Sequence, residues 1–407
     1  MARQALWRLR LRRARLTMDF TELADESAFR HRVRAWLAEH IPVAWRGRPG
    51  PYADPMSLDE RRAWSKQLYA AGFVGLTWPT PYGGQGKPIT FQNIVLEELA
   101  RADAPQHVNA SIGLAFAGPT ILHWGSEEQK ARLIPALLRG DEIWCQGFSE
   151  PEAGSDLANV RTAAVLDGDT WTVNGSKIWS SFAHLADRCI LLARTEPDAP
   201  KHRGLSFLLA DMHAPGVRVV PLTQITGQPE FNEMFFSDVA VPATSMLGER
   251  GDGWKVAMTV LRHERGTSAM GMAAALEKQV RTFARFVRDT GLGEDPRAQE
   301  GLRSAWISLQ ALRYTNYRLL SAVSRKAEPG PESAVAKLAW SEANQQLTRL
   351  ALDLLGPYVA YASSQSDWSA LWRCEALRAR GNSIEGGTSE ILKNVVAERV
   401  LGLPKGR

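Results

Sequence analysis

The sequence predicts a multi-part α+β protein: a helical N-terminal domain, a middle antiparallel β-barrel or sandwich, and a helical C-terminal domain. Three observations predict it. Apolar residues recur at helical spacing from Glu22 to about Arg139. Around Ile143 this gives way to short apolar runs divided by Gly, Pro and Asp. After Pro242 and the turn over 248–253, helical periodicity returns and continues to Leu401. The chain therefore divides into a basic, disordered extension (1–17), a helical domain (18–142), a β domain (143–250) and a second helical domain (251–407).

In the first domain, Phe29, Val33, Trp36 and Leu37 share a helix face that ends before Pro42. A Pro/Gly loop over 49–55 follows, then a helix from Leu58 that Gly72 can stop. Trp78 to Gly86 reads as a turn. Phe91 to Ala102 and Thr120 to Leu138 read as helices, the latter with an internal helix start at Ser126. In the β domain, Trp171-Thr172-Val173 leads into Asn174-Gly175, a hairpin cue. Cys189–Ala193, Leu205–Ala210, Val217–Val220 and Glu233–Phe236 read as further strands. The C-terminal helices break near 291–296 and 329–331.

Composition excludes several function classes. The 407-residue chain is 44% apolar, enough for a large core, and its formal charge is +5. Residues 1–17 hold six arginines and no acid, which leaves −1 for the remainder. A nucleic-acid partner is therefore not expected. The tail reads as an upstream start or a disordered extension rather than a transit peptide. Cys145, Cys189 and Cys374 are odd in number and far apart in sequence, so neither a metal site nor a disulfide framework is expected, and a cytoplasmic, reducing setting is. No apolar run reaches the roughly 18–20 residues of a membrane span.

Two stretches carry the chemistry. One is Phe148-Ser149-Glu150-Pro151-Glu152-Ala153-Gly154-Ser155-Asp156; the other is Lys177-Ile178-Trp179-Ser180-Ser181. Glycine lets a backbone approach a ligand, and hydroxyls and free N–H groups can bond ring nitrogens and oxygens. From residue types alone, an ordinary loop and hairpin fits equally well. The two motifs in this order resemble the flavin-binding signature of the acyl-CoA dehydrogenase family, and the likeness runs from about Asp19 to Pro404. The resemblance implies a four-helix bundle at the C-terminus and FAD as cofactor. It implies Phe148, Ser149, Trp179 and Ser181 at the flavin, and Ser155 near the acyl-CoA. It further implies Thr388 and Glu390 against FAD, and Gly356 against a neighbour's FAD.

The family's base is one glutamate, found at either of two places. The commoner precedes a Gly-Thr pair; here Ser383-Ile384-Glu385-Gly386-Gly387-Thr388 puts Gly386 there, with Glu385 one residue early. The other lies on the first helix of the C-terminal domain, where Glu264 falls. Glu264 follows Leu261 by three residues and Ala257 by seven, so it shares their apolar face, and burial there would raise its pKa. Glu264 is thus the expected base and Glu385 the alternative. Arg265 matches a pantetheine-side arginine, and His263 is read as helix surface. The implied reaction removes the α-proton to Glu264 and the β-hydrogen as hydride to flavin N5, giving a trans-2-enoyl-CoA. The Gly386 N–H would polarise the thioester oxygen.

The chain departs from the family at Phe286-Val287-Arg288-Asp289-Thr290-Gly291, where many relatives carry Gln-Arg-x-x-Phe-Gly. An intersubunit FAD contact is therefore not legible. The expected assembly is a homo-oligomer, dimer or homotetramer, or a heterotetramer with a related chain, with an electron-transferring flavoprotein as acceptor. The alternatives are a non-catalytic or half-site subunit, and a flavin oxidase or monooxygenase of the same fold.

Overall fold

A computed structural model describes residues 22–45, 56–324, 330–361 and 368–405. The basic extension and the 49–55 loop lie outside the described residues, as do the side chains of residues 264–270. The N-terminal domain holds α1 (Ala24–His40), α2 (Leu58–Ala70), α3 (Ile89–Arg101), α4 (Gly118–Trp124) and α5 (Glu127–Arg139). Phe29, Val33 and Leu37 of α1 are buried as their spacing implies. Ser57 caps α2, accepting from Glu60 N at 3.3 Å, while Glu60 Oε2 accepts from Ser57 N at 2.7 Å. The helix expected over Thr120–Leu138 is two helices, because Ser126 and Gln129 form a second such box directly after Gly125.

Among the described residues the middle domain is one eight-stranded sheet: β1 (Trp144–Gly147), β2 (Ala163–Asp167), β3 (Thr170–Ser181), β4 (Arg188–Arg194), β5 (Leu205–Asp211), β6 (Val217–Leu222), β7 (Phe231–Pro242) and β8 (Met246–Leu247). Its order is β6-β7-β3-β2-β4-β5-β8, with β1 on β4. Most pairs are antiparallel; β1 with β4 and β2 with β4 are parallel. Parallel register sets Cys145 directly beside Cys189, both buried and free, although they are distant in sequence.

The hairpin expected at Asn174-Gly175 is not there. These residues lie inside β3, at a bulge between Val173 and Gly175. Gly175 has φ +148°, and a Cβ on it would stand 2.7 Å from Thr162 Oγ1. Asn174 is held across the ladder by Asp238, accepting from its N–H at 2.9 Å and donating to Oδ1 at 2.9 Å. The strand continues because β7 pairs along its length, and the turn into β3 is at Gly168, φ +58°.

The C-terminal domain is built from α6 (Gly253–Asp289), α7 (Pro296–Ser324), α8 (Ser333–Leu355), α9 (Trp368–Ala379) and the short α10 (Ser389–Val395). The four long helices pack around Phe283, Phe286, Leu309, Leu347 and Trp372. The first turns of α6 belong to a different core: Val256, Ala257 and Val260 are buried with the N-terminal helices and one sheet face. This helix therefore ties all three domains together. Among the described residues, no helix is long and apolar enough to cross a membrane.

Candidate active site

The loop after β1 and the middle of β3 are fastened to each other by a buried ion pair. Lys177 Nζ, fully buried, donates to Phe148 O at 3.0 Å and to Glu150 Oε1 at 2.8 Å. Glu150 also accepts from Thr162 N at 2.8 Å and Arg161 N at 2.6 Å. Burial pulls the Glu150 pKa up, but the Lys177 ammonium and these donors outweigh it and hold it low. Burial pushes Lys177 down to about 8, against the opposing pull of Glu150. Ile178 N donates to Ser149 O at 2.9 Å, so Ser149 is set beside the Trp179 strand.

Trp179 has φ +62°, rare for a side-chain-bearing residue, and sits at a second β3 bulge between Lys177 and Ser180. Its indole is 58% exposed, edge-on to Phe231 at 6.2 Å. A large aromatic face held out by strained backbone, next to Ser149 and Ser181, suits a flat heteroaromatic ring. The residues present thus fit the flavin. Phe148 itself is buried against Phe207 and contributes backbone rather than surface.

The Gly386-Gly387 turn is held from α8. Lys337 Nζ donates to Asn382 O at 2.5 Å and to Gly387 O at 3.0 Å, and Ser341 Oγ donates to Asn382 O at 2.8 Å. Gly386 has φ +64°, and its N–H makes no hydrogen bond among the described residues. Thr388 caps α10, accepting from Ile391 N at 3.3 Å, and Glu390 is exposed in the first turn. Glu385 is already engaged. It accepts from Arg378 Nη2 at 2.9 Å and Asn382 Nδ2 at 2.8 Å, and Arg378 also grips Glu230 at 2.8 and 2.9 Å. The two carboxylates hold the guanidinium charged.

A cavity of about 1800 Å³ joins the domains. Val95, Leu99 and Leu122 line it from the N-terminal domain, Phe182 and His184 from the turn after β3, and Gly271 and Gln279 from α6. His263 lines it too and is half-buried, so the reading of His263 as helix surface is corrected. Glu264 and Arg265 lie on α6, but their side chains are outside the described ones. Ser155 is exposed, and so is Gly356 (φ +55°) at the end of α8, with open space around its Cα. The sequence reading missed Arg378, Lys337, Gln279 and Glu375. Glu375 had a signal: it sits one turn from Leu371 and Ala379 on the buried face of α9. Among the described residues, no cluster of three His, Cys, Asp or Glu could hold a metal.

Comparison with known proteins finds the same three-part division of the chain. Residues 24–141, 145–239 and 251–401 match the N-terminal, middle and C-terminal domain models of acyl-CoA dehydrogenase. Acyl-CoA dehydrogenase IpdE1 of Mycobacterium tuberculosis is 41% identical over 388 residues, covering 94% of this chain and 99% of the relative. A solved structure described as the Tcur3481-Tcur3483 steroid ACAD superposes with a TM-score of 0.81 at 31% identity, covering 96% of this chain and all of that one. The ChsE4-ChsE5 complex of Mycobacterium tuberculosis superposes equally well, TM-score 0.81 at 30% identity, over 96% of this chain and 100% of that one.

Proposed function

The chain belongs to the acyl-CoA dehydrogenase family, an FAD-dependent oxidoreductase acting on acyl-CoA, and on that premise we propose that Glu264 is its base. Position 264 carries the reading. It stands one turn after buried Val260 and two turns before cavity-lining Gly271, on one face of α6. The competing Glu385 is taken up by Arg378 and Asn382.

Glu264 carboxylate accepts the proton from the acyl α-carbon. FAD, when bound, would supply the acceptor for the β-hydrogen, which leaves as hydride. Phe148, Ser149, Trp179 and Ser181 would hold the flavin ring, with Thr388 and Glu390 nearby on the Gly-Thr turn. The Gly386 N–H, without another partner among the described residues and on a turn held by Lys337 at Gly387 O, donates to the thioester oxygen as negative charge develops there. Arg265 and Ser155 serve the CoA side. The product is the trans-2-enoyl-CoA, and an electron-transferring flavoprotein takes the electrons onward.

The cavity volume suits a bulky acyl group, in keeping with the steroid description of one structural neighbour. A second reading concerns assembly. The exposed Gly356, the missing diphosphate motif and the two-chain composition of both structural neighbours favour a heterotetramer with a related chain over a homotetramer. The test is anaerobic addition of mixed acyl-CoA esters to the purified, FAD-loaded protein, alone and with co-expressed related chains. Bleaching of the flavin with appearance of enoyl-CoA supports the proposal; an unchanged spectrum in every combination overturns it.

A further inference from the structure

The bundle end of the cavity holds polar atoms that the fold leaves unmet. Glu375, on α9 and 5% exposed, receives Gln279 Nε2 of α6 on Oε2 at 2.6 Å. Its Oε1 is buried and has no hydrogen-bond partner among the described residues. Asn344, on α8 and 7% exposed, donates through Nδ2 to Asn382 Oδ1 at 2.9 Å. Asn382 in turn donates to Glu385 Oε1 at 2.8 Å, and a carboxylate there can only accept. That chain fixes both amide orientations and leaves Asn344 Oδ1 as an acceptor without a donor. Glu375 and Asn344 both line the cavity. Gln345 Nε2, next to Asn344 in sequence, donates to Ala379 O, one turn past Glu375, so α8 and α9 are in contact there.

Leaving buried polar groups unmet is costly, and a purely structural role would pair them. The surroundings select what can pair them. Lys278 and Arg378 act on Glu375 from nearby, each already paired with carboxylates (Asp103; Glu230 and Glu385), and Glu375 itself disfavours a ligand carboxylate. A carbonyl only accepts, so it cannot meet Asn344 Oδ1. A hydroxyl both donates and accepts. Burial pushes Glu375 up to about 7, despite Gln279 and the two cations, so near neutral pH it can offer or take the proton of such a bond.

Resting on the dehydrogenase reading above, we propose that Glu375 and Asn344 form a specificity subsite for a hydroxyl group at the far end of the acyl chain. Gln279 lies 15 residues beyond Glu264 on α6. At about 1.5 Å per residue Gln279, and with it Glu375, is on the order of 20 Å along α6 from Glu264, while Asn344, linked through Asn382 to Glu385 beside Gly386, is nearer the reacting carbons. The acyl group is therefore long or polycyclic, and hydroxylated distally.

The test compares 16-hydroxyhexadecanoyl-CoA with hexadecanoyl-CoA on the FAD-loaded protein, reading the ratio of their kcat/KM. The hydroxylated ester should be preferred by roughly 10- to 100-fold, as for one hydrogen bond to an ionisable partner. Glu375→Leu should cut that ratio at least tenfold, and Glu375→Gln, which keeps a bonding group of the same shape, should retain most of it. A purely structural role would move both substrates together. A wild-type ratio within threefold, or a ratio unchanged in Glu375→Leu, overturns the subsite while leaving the dehydrogenase reading intact. Turnover of butanoyl-CoA with neither long ester accepted does the same. Failure of every ester, butanoyl-CoA included, overturns the dehydrogenase reading and the subsite with it.

Discussion

Replacing Lys177 by Met should be among the most damaging single changes in the β domain. The ammonium is fully buried and makes two hydrogen bonds, at 3.0 Å to Phe148 O and 2.8 Å to Glu150 Oε1. Methionine keeps the apolar stem and removes both. Phe148 O is then left without its buried donor, and the Glu150 carboxylate keeps two backbone N–H donors but no countercharge. Removing one partner of a buried pair costs about 3–5 kcal/mol, a large share of a typical folding free energy of about 5–15 kcal/mol. The double variant Lys177→Met with Glu150→Gln leaves no bare charge and should cost clearly less than the two single losses combined. Urea unfolding at pH 7 followed by tryptophan fluorescence measures this, and FAD release on gel filtration should rise in parallel because the pair fixes the Ser149 and Trp179 segments together. A Lys177→Met cost below about 1 kcal/mol, or a double variant at least as damaged as the sum of the singles, would mean that the buried pair does not hold the two segments together.

Two other predictions concern the same scaffold. Gly175→Ala should destabilise by about 1–3 kcal/mol, read from the urea midpoint, since it combines φ +148° with a contact 2.7 Å from Thr162. At a solvent-exposed Asn-Gly hairpin tip only the positive φ would remain and the cost should fall to about 1 kcal/mol or less. His107 is buried, accepts from Asn109 N on Nδ1 at 3.0 Å and reaches Leu138 O through Nε2 at 3.1 Å, which fixes the neutral tautomer. Burial pushes its pKa down to about 4, against 6.5 when unfolded. The folded state thus binds fewer protons between these values. Its contribution is complete above pH 6.5 and is lost as pH falls towards 4, by about 3 kcal/mol. A urea series from pH 8 to pH 4 should show that slope, and His107→Gln should flatten it.

Much of this was legible in the sequence, because the signals were local. The change of period at Ile143 marks the start of the sheet, and the spacing of Phe29, Val33 and Leu37 gives a real helix face. The two flavin motifs are each short segments whose residue order survives folding. What escaped depended on partners distant in the chain. Asn174-Gly175 has the local chemistry of a turn, but β7 and Asp238 impose a bulge instead. Glu385 looks like an available carboxylate until Arg378 is seen bridging it to Glu230, 148 residues from Arg378. His263 is flanked by charged residues in sequence, yet the N-terminal helices turn its side of α6 into a cavity wall. Glu375 was missed although it sits on a buried stripe of α9, and its partner Gln279 lies 96 residues away.

Glu264, and not Glu385, is assigned the α-proton. Anaerobic mixing of a saturating acyl-CoA with FAD-loaded wild type, Glu264→Gln and Glu385→Gln, followed at the flavin absorbance band, tests it directly. Wild type and Glu385→Gln should bleach, while Glu264→Gln should bind the ester yet bleach at least 100-fold more slowly, as expected when a general base is lost. Rapid bleaching of Glu264→Gln, with Glu385→Gln inert, would contradict the account and return the base to the Gly-Gly-Thr turn.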